Sequence, residues 1–366
     1  MKPSYRMKRL DDPLEAGGLL AAGSRSRAGE EAKPVATLNA TTNLPSMGRV
    51  FRIVLTAMML TTCGGSPARD RSADACPSTG PALTADAANH AIKTVFVIVM
   101  ENQGWSSIKG NSSAPYINGV LLPRFAHAEN YRNGGLHPSL GNYVALEAGN
   151  KLGIAFDASP SEVHLPVACH LSSYLDATGL SWKAYEEGIR GDTCPVADSY
   201  PYAVRHDAFV YFDDVAGNPP SVRNSRCIQH VRPYSELSRD LQAGAVSRYN
   251  FITPDLCHSG HDTCPPLRDQ VRQSDAWLAQ ELPAIMKSRA YQDGGAIFIT
   301  WDEGAVGTPP IGMIVVSPFA KPGYAGSLPY SHASTLRTIE EVFGVTPLLR
   351  DAGSASSLSD LFTTYP

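Results

Sequence analysis

Two pairs of polar residues, each directly after an apolar run, have the chemistry to bind a cation. Glu101 and Asn102 follow the first run, and Asp302 and Glu303 follow the second. Carboxylate and amide oxygens are hard ligands, which suit a divalent ion such as calcium, magnesium, manganese or iron. Neighbouring carboxylates in a cleft repel each other, and a shared cation would neutralise them. These four residues are therefore candidate metal ligands.

A serine at the predicted start of a helix is a candidate nucleophile. Ser139 stands at the N-cap position of a helix that is defined by Leu140, Tyr143 and Leu146 and ended by Gly149. The N–H groups and the positive dipole end of a helix stabilise a phosphate there, or a nucleophile that attacks one. Serine also caps helices without any chemistry, so the pattern alone leaves both interpretations open.

Three histidines could reach the same cleft. His137, His261 and His332 each follow a predicted strand or precede a predicted helix. Imidazoles near an acidic metal site suit phosphate binding or proton delivery to a leaving oxygen. A single histidine is more often structural, but three at such positions favour a shared site.

The elements that must position these residues alternate along the chain. Thr94–Met100 and Ala296–Thr300 are apolar without alternation, which is typical of central parallel strands, and Met313–Ser317 is a third such run. Shorter strands are predicted at 180–185 and 249–253, and helices at 114–122, 171–177, 274–288 and 334–343. This order predicts an α/β fold with a mostly parallel central sheet and helices on both faces. Polar residues at the carboxyl ends of its strands would meet at one edge, although polar residues also commonly just end a strand.

One aromatic-rich segment interrupts this alternation. Residues 188–220 are rich in loop-forming residues and contain His206 among several aromatic side chains. Such an insertion is either a lid that faces the substrate or a packed satellite cluster.

Composition and the front of the chain indicate export. The 366 residues have a net charge of −4, and residues beyond 62 hold 22 basic against 30 acidic side chains. An acidic body argues against nucleic-acid binding. Residues 47–63 have the layout of a secretory signal whose apolar core is too short to span a membrane. It resembles a bacterial lipoprotein signal, which makes Cys63 the candidate for a lipid anchor, although Thr62 departs from the usual small residue.

These features predict the division of the chain. Residues 1–46 would be a spurious or disordered leader, 47–63 the signal and 64–92 a linker. Residues 93–350 would form the catalytic domain and 351–366 a C-terminal tail. The predicted location is secreted, or at the bacterial outer surface or periplasm, with no transmembrane helix in the mature chain.

Cysteine usage agrees with an oxidising compartment. Six cysteines remain beyond Cys63, which permits up to three disulfides. Cys257 and Cys264 are close enough to staple one loop, and Cys194 with Cys227 is a second candidate pair. Buried free thiols are the alternative, and no zinc-ribbon spacing occurs.

Five motifs in order carry a resemblance to a known family. They are VFVIVMEN, HPSLGNY, FITPDLC with GHD, FITWDEG, and IVVSPFAKPG with YSHASTLRTIEEVFG, from about Thr94 to Gly344. The set resembles the secreted bacterial phosphoesterases, which include acid phosphatases, phosphoinositide phosphatases and phospholipases C with an alkaline-phosphatase-like fold. The YAVRHDAFVYF stretch and the chain size are most similar to the small acid phosphatases that act on phosphoinositides. Asp255 and His258–Gly260 depart from the Asn and Asn-Asp-Met of that family.

The resemblance implies a metal-dependent acid phosphatase. Its substrate would be a phosphate ester, a class that includes phospholipids and phosphoinositides. One divalent metal ion would be held by Glu101, Asn102, Asp302 and Glu303. Ser139 would be the nucleophile and become transiently phosphorylated, with His332 and His261 as further catalytic residues. The substrate-binding residues would be His137, Asn142, Asp262 and His206.

Two rival functions remain open. A phospholipase C-type phosphodiesterase would use the same metal site, although the chain lacks the C-terminal length of the larger phospholipases C. An inactive surface-anchored binding protein would have lost ligands that are intact here. A sulfatase would need a cysteine in a C-x-P-x-R arrangement, which this sequence lacks.

Overall fold

The computed structural model describes residues 83–135, 137–166 and 169–366. The predicted leader, the predicted signal with Cys63 and the linker up to residue 82 lie outside these ranges. None of the helices in the described ranges has both the length and the apolar character needed to cross a bilayer.

The strands are short except at the centre of the main sheet. In chain order they are β1 (Thr84–Ala85), β2 (Thr94–Met100), β3 (Ala126–Ala128), β4 (Tyr131–Arg132), β5 (Trp182–Glu186), β6 (Val231–Pro233), β7 (Tyr249–Thr253), β8 (Gly295–Trp301), β9 (Met313–Val316), β10 (Ala325–Gly326), β11 (Tyr330–Ser331) and β12 (Val345–Thr346). Eight of them form one sheet in the order β10-β3-β9-β8-β2-β7-β5-β6. The predicted mostly parallel central sheet is confirmed.

The two longest strands lie side by side in the middle of this sheet. β2 and β8 pair in parallel from Thr94↔Gly295 to Met100↔Trp301. Every residue of both strands is buried, which explains why their sequences lack the alternation of a half-exposed strand. Because the pairing is in register, the residues that follow Met100 and Trp301 leave the sheet at the same place.

The third apolar run forms a strand of the opposite direction. β9 runs antiparallel to both β8 and β3. Only residues 302–312 separate β8 from β9, and they contain no helix. A parallel return requires a crossover of a dozen or more residues, so this short connection turns the chain back antiparallel.

The helices cover the sheet. They are α1 (Trp105–Ile108), α2 (Leu122–Arg124), α3 (Ser139–Ala148), α4 (Leu171–Ala177), α5 (Asp213–Ala216), α6 (Ser225–His230), α7 (Leu237–Ala243), α8 (Gln270–Lys287), α9 (Arg289–Gln292) and α10 (His332–Phe343). The predicted end of α3 at Gly149 is confirmed: this residue has φ +87°, and a Cβ there would lie 2.6 Å from the Leu349 carbonyl oxygen. Only glycine fits that position.

Segments predicted to be peripheral pack against the body. β1, within the predicted linker, pairs with β12, and Ile92 is fully buried. In the predicted C-terminal tail, Leu361 and Phe362 are buried. In the 188–220 segment the aromatic residues Phe209, Tyr211 and Phe212 are fully buried, so this part is a packed cluster rather than an open lid.

Both disulfide pairs that the sequence suggests are confirmed. Cys194 bonds Cys227 and Cys257 bonds Cys264. The second bridge closes a loop after β7 that also contacts the end of β2, where the Glu101 N–H donates to the Ser259 carbonyl oxygen at 3.0 Å. The loop that carries His261 is therefore fixed beside Glu101.

A buried network of charged residues holds α3, the helix that begins at the candidate nucleophile Ser139. The fully buried Glu147 of α3 accepts hydrogen bonds from the Ser172 N–H at 2.6 Å and the Tyr249 hydroxyl at 3.2 Å. The buried His170 lies 3.5 Å from Glu147 and 3.0 Å from Asp214. Burial lowers the pKa of His170, but the hydrogen bonds to Asp214 and Glu147 outweigh it and raise the pKa above its usual value.

We expect His170→Gln to destabilise the protein in a pH-dependent way. A raised folded-state pKa contributes stability that is complete below the unfolded value of about 6.5 and is lost as the pH rises through the folded value. Breaking such a buried pair costs about 3 kcal/mol, so urea unfolding at pH 5.5 should show a larger loss than at pH 9. His164→Gln is the matched control, because His164 pairs with Asp213 at the surface. Equal losses in both variants, or a loss independent of pH, would contradict this assignment.

Candidate active site

The candidate metal ligands Glu101, Asn102 and Asp302 lie together at the ends of β2 and β8. The Asp302 N–H donates to the Met100 carbonyl oxygen at 2.9 Å, which continues the strand pairing by one step. Asn102 has φ +52°, a conformation that asparagine tolerates better than most residues. Its backbone N–H donates to Asp302 Oδ1 at 3.1 Å, and its side-chain amide lies 3.3 Å from Glu101 Oε2. The sequence-based expectation that both strand ends meet is confirmed.

The carboxylates in this cluster are poorly neutralised by protein groups. Burial, then the negative charge of Asp302, raises the pKa of Glu101 well above its usual value. Burial and then Glu303 raise the pKa of Asp302 to about 7. Asp302 Oδ2 is buried without a hydrogen-bond partner among the described residues. An oxygen-ligated cation would supply the missing charge and fill that coordination position, so the residues present fit a divalent metal ion.

Two side chains, those of His137 and Asn142, contact the Glu303 carboxylate. His137 Nδ1 lies 2.9 Å from Glu303 Oε2, and the Asn142 side-chain amide donates to the same oxygen at 3.0 Å. His137 Nε2 also donates to the Gly307 carbonyl oxygen at 2.8 Å. Burial lowers the pKa of His137, but the hydrogen bonds to Gly307 and Glu303 raise it above its usual value overall. His137 and Asn142, predicted to line the phosphate pocket, therefore hold a predicted metal ligand.

Ser139 is the first residue of α3 and not its N-cap. Pro138 occupies the cap position, and α3 has no side-chain capping hydrogen bond. The Ser139 side chain instead lies beside the Asp302 carboxylate and lowers the pKa of that group. The simple capping interpretation is wrong for this serine, because Pro138 holds the cap position and no side-chain capping bond forms.

Two histidines extend the cluster on the other side of Glu101. His206 Nε2 lies 3.3 Å from Glu101 Oε1, and its ring stacks on Tyr143 at 5.1 Å between centroids. Burial, then the charges of Arg205 and His261, keeps the pKa of His206 well below its usual value, so its imidazole is neutral. Each of Glu101, His206 and His261 offers a ligand atom within 4.8 Å of the other two.

His261 is fixed by groups at both ring nitrogens. Its Nδ1 lies 2.7 Å from Asp262 Oδ1, and its Nε2 lies 3.2 Å from the Arg205 guanidinium. Because a guanidinium only donates, Nε2 accepts and Nδ1 carries the proton. The predicted pair of His261 and Asp262 is thus formed, with Arg205 as an additional partner.

His332 supports the backbone of the cluster. Its Nε2 lies 2.8 Å from the Asp302 carbonyl oxygen, and its Nδ1 lies 3.1 Å from the Tyr131 hydroxyl. Burial lowers its pKa to about 4, so the imidazole is neutral and Nε2 donates. The histidine lies at the predicted site, and its catalytic role stays a prediction.

Sequence reasoning missed three residues of this site. Tyr143, predicted only as a helix core residue, donates its hydroxyl to Glu101 Oε1 at 2.6 Å. Arg205 approaches Asp157 as well as His261, and Asp157 Oδ1 accepts the Leu140 N–H at 3.1 Å. Tyr143 lies inside the HPSLGNY motif and could have been found there. Arg205 lies inside the YAVRHDAFVYF stretch and could have been found there in the same way, whereas Asp157 lies in a segment without periodicity or motif.

Two positions that depart from the resembled family form a separate cluster. His258 Nδ1 lies 2.9 Å from Glu187 Oε2 and 3.5 Å from Asp255 Oδ2. The hydrogen bond with Glu187 is the largest influence on the pKa of His258 and raises it. These three residues are therefore explained as an ion pair between a protonated His258 and two carboxylates.

Known proteins resemble this chain in sequence and in fold. The chain is 26% identical over 269 residues to a phosphatidylinositol-3-phosphatase from Mycobacterium tuberculosis, which covers 73% of this chain and 82% of that protein. It is 23% identical over 321 residues to a probable acid phosphatase from Kluyveromyces lactis, at 83% and 70% coverage. A solved structure of an alkaline phosphatase superfamily protein from Vibrio parahaemolyticus superposes with a TM-score of 0.50 at 12% identity, covering 77% of this chain and 75% of that one. This likeness confirms the predicted alkaline-phosphatase-like fold. The model of the phosphoesterase family matches residues 115–346, which is more than half of the sequence, and the chain therefore belongs to the phosphoesterase family.

Proposed function

We propose that the chain is a metal-dependent phosphomonoesterase that uses Ser139 as its nucleophile and forms a phosphoserine intermediate. The observation that carries this proposal is the place of the Ser139 side chain: it takes no part in capping α3 and lies beside the buried Asp302 carboxylate, whose pKa it lowers. A serine becomes nucleophilic when a neighbouring group accepts its proton or stabilises its oxyanion. Its place at the start of a ten-residue helix adds the positive end of the helix dipole.

Glu101, Asn102, Asp302 and Glu303 would hold the divalent ion. Such an ion, when bound, lowers the pKa of a nearby hydroxyl and offsets negative charge on phosphate oxygens. The side-chain oxygens and amide of these residues suit calcium, magnesium, manganese or iron equally.

The remaining residues have separable tasks in this proposal. Asp302 orients the Ser139 hydroxyl and draws its proton, so that the oxygen points at phosphorus. His261, paired through Nδ1 with Asp262, would take up a proton from solvent at Nε2 and give it to the leaving oxygen as the bond to phosphorus breaks. His332 and Tyr131 keep the Asp302 backbone in place. Attack by water on the phosphoserine then releases phosphate.

The proposed substrate is a phosphate monoester, with phosphoinositides as the class to examine first. The relatives named a phosphatidylinositol-3-phosphatase and a probable acid phosphatase support this choice. Export, and a lipid anchor at Cys63, belong to the same proposal because residues 47–63 have the layout of a lipoprotein signal.

Product identity tests the proposed reaction. The full chain is incubated with a phosphoinositide, an aryl phosphate and phosphatidylcholine, with and without a chelator, and free phosphate and diacylglycerol are assayed. We expect free phosphate that disappears with chelator and returns with added metal. Diacylglycerol as the product would replace the proposal by a phospholipase C, and neither product under several metals would favour a binding protein.

Asp302→Asn should reveal the metal site without any activity measurement. In chelated wild-type protein the folded-state pKa of Asp302 is about 7 against an ordinary 3.8, so its ionised form destabilises the fold above pH 7 and protonation relieves this as the pH falls. Chelated Asp302→Asn should therefore exceed the wild type in urea unfolding free energy at pH 8 by more than about 1 kcal/mol, with a smaller difference at pH 5.

Added divalent ion should reverse this order. A ligand that binds only the folded state raises its stability, so the wild type should gain stability at pH 8 and Asp302→Asn should gain little. Asp351→Asn, which changes a surface carboxylate, is the control and should respond as the wild type does. Equal gains in all three proteins would contradict metal binding at Asp302.

A further inference from the structure

An arginine within the YAVRHDAFVYF stretch, to which the sequence pattern assigns no role, contacts a histidine of the candidate active site. Arg205 lies on the 3₁₀ turn Val204–His206, and its guanidinium lies 3.2 Å from His261 Nε2. Its side chain is 24% exposed, so it is not sealed in the core. Its charge lowers the pKa values of neighbouring groups that include Glu101 and His206.

A carboxylate ties Arg205 to the nucleophile helix. Asp157 Oδ2 lies 3.7 Å from Arg205 Nε, and Asp157 Oδ1 accepts the N–H of Leu140, the residue after Ser139. One side chain thus spans the first turn of α3 and the guanidinium. Arg205 is held between Asp157, near Ser139, and His261, near Glu101.

These contacts leave several N–H donors of the Arg205 guanidinium without an acceptor among the described residues. A guanidinium has five N–H donors, and the described residues give Arg205 one hydrogen bond, to a neutral ring nitrogen, and one ion pair at 3.7 Å. That ion-pair distance is too long for a hydrogen bond. The close bidentate carboxylate that usually neutralises an arginine is therefore missing from the described surroundings of Arg205.

We propose that Arg205 is a specificity-determining residue that binds a non-bridging phosphate oxygen and selects monoesters over diesters. This proposal rests on the proposed phosphoesterase function. A phosphate monoester carries up to two negative charges above pH 6 and three terminal oxygens, whereas a diester carries one charge and two such oxygens. A guanidinium held between His261 and Asp157, which also contacts the first turn of α3, would therefore interact more strongly with the monoester, through charge-assisted hydrogen bonds.

Substrate binding would also release His261. The N–H that Arg205 now directs to His261 Nε2 would turn to the phosphate oxygen, because an anionic acceptor binds a guanidinium more strongly than a neutral imidazole. Nε2 would then be free to take up a proton from solvent and give it to the leaving oxygen. Asp157 acts in this account as a positioning residue that keeps Arg205 in reach of both.

The test compares monoester and diester hydrolysis in Arg205 variants of the full chain. For Arg205→Ala we expect kcat/KM for p-nitrophenyl phosphate at pH 8 to fall at least about a hundredfold, the size of one charge-assisted contact. For bis(p-nitrophenyl) phosphate we expect a change below about fivefold. Arg205→Lys should recover part of the monoester rate, because it keeps the charge without the planar fork.

Arg190→Ala is the matched control, since Arg190 is an exposed arginine of the same 188–220 segment. It should hydrolyse both substrates as the wild type does. Equal losses with monoester and diester, or a loss in Arg205→Ala that Arg205→Lys does not relieve at all, would assign Arg205 a structural role and overturn the proposal. Unchanged monoester hydrolysis would overturn it as well.

Phosphate binding separates this proposal from the proposed function. If the wild type hydrolyses neither ester, the proposed function fails, and the dissociation constant for inorganic phosphate still reports on Arg205. We expect that constant to rise at least about tenfold in Arg205→Ala and to stay unchanged in Arg190→Ala. Equal phosphate affinity in all three proteins would contradict a phosphate contact at Arg205.

Discussion

Burial of acidic side chains at two adjacent strand ends is the constraint that the rest of the site satisfies. Glu101 and Asp302 are fully buried, and Glu303 is nearly so. Ionised carboxylates in such surroundings are unstable unless donors or cations compensate them. Tyr143, the Asn102 backbone and His137 each compensate one carboxylate in part. The compensation is least complete at Asp302 Oδ2, and a divalent ion would supply the missing positive charge. Such an ion would also make this edge of the sheet suited to phosphate chemistry.

The fold fixes this cluster through register and packing. The in-register pairing of β2 with β8 makes the end of one strand the neighbour of the end of the other. α3 is buried along its whole length, and the His170–Glu147 network anchors its second half, so Ser139 cannot move away from Asp302 without disturbing the core. The disulfide loop and the packed aromatic segment bring His261, His206 and Arg205 to the other side of Glu101. Rigid elements therefore carry the acidic side, and two irregular segments carry the side with the histidines and the arginine.

Much of the acidic side could be predicted from sequence, because continuous apolar runs mark central strands and polar residues after them share one edge. The same signal could not give the direction of β9, since a fully buried strand has the same composition in either direction. Nor could it place the Ser139 hydroxyl, which depends on a one-residue shift of the helix start, or show that His137 and Asn142 hold Glu303. The contacts of Arg205, which lies in the YAVRHDAFVYF stretch, and of Asp157 could not be predicted, because non-periodic segments are positioned by tertiary contacts alone. The signal and Cys63 lie outside the described residues and stay predictions.

The proposed phosphoserine intermediate requires that Ser139, and not water, attacks phosphorus first. The stereochemical course at phosphorus tests it most directly, with an aryl phosphate made chiral by oxygen isotopes and the configuration of a transferred phosphoryl group measured by NMR. Two successive in-line displacements each invert, so this account predicts net retention, together with a loss of turnover of at least about a thousandfold in Ser139→Ala. Net inversion would show a single direct displacement and would contradict a phosphoserine intermediate.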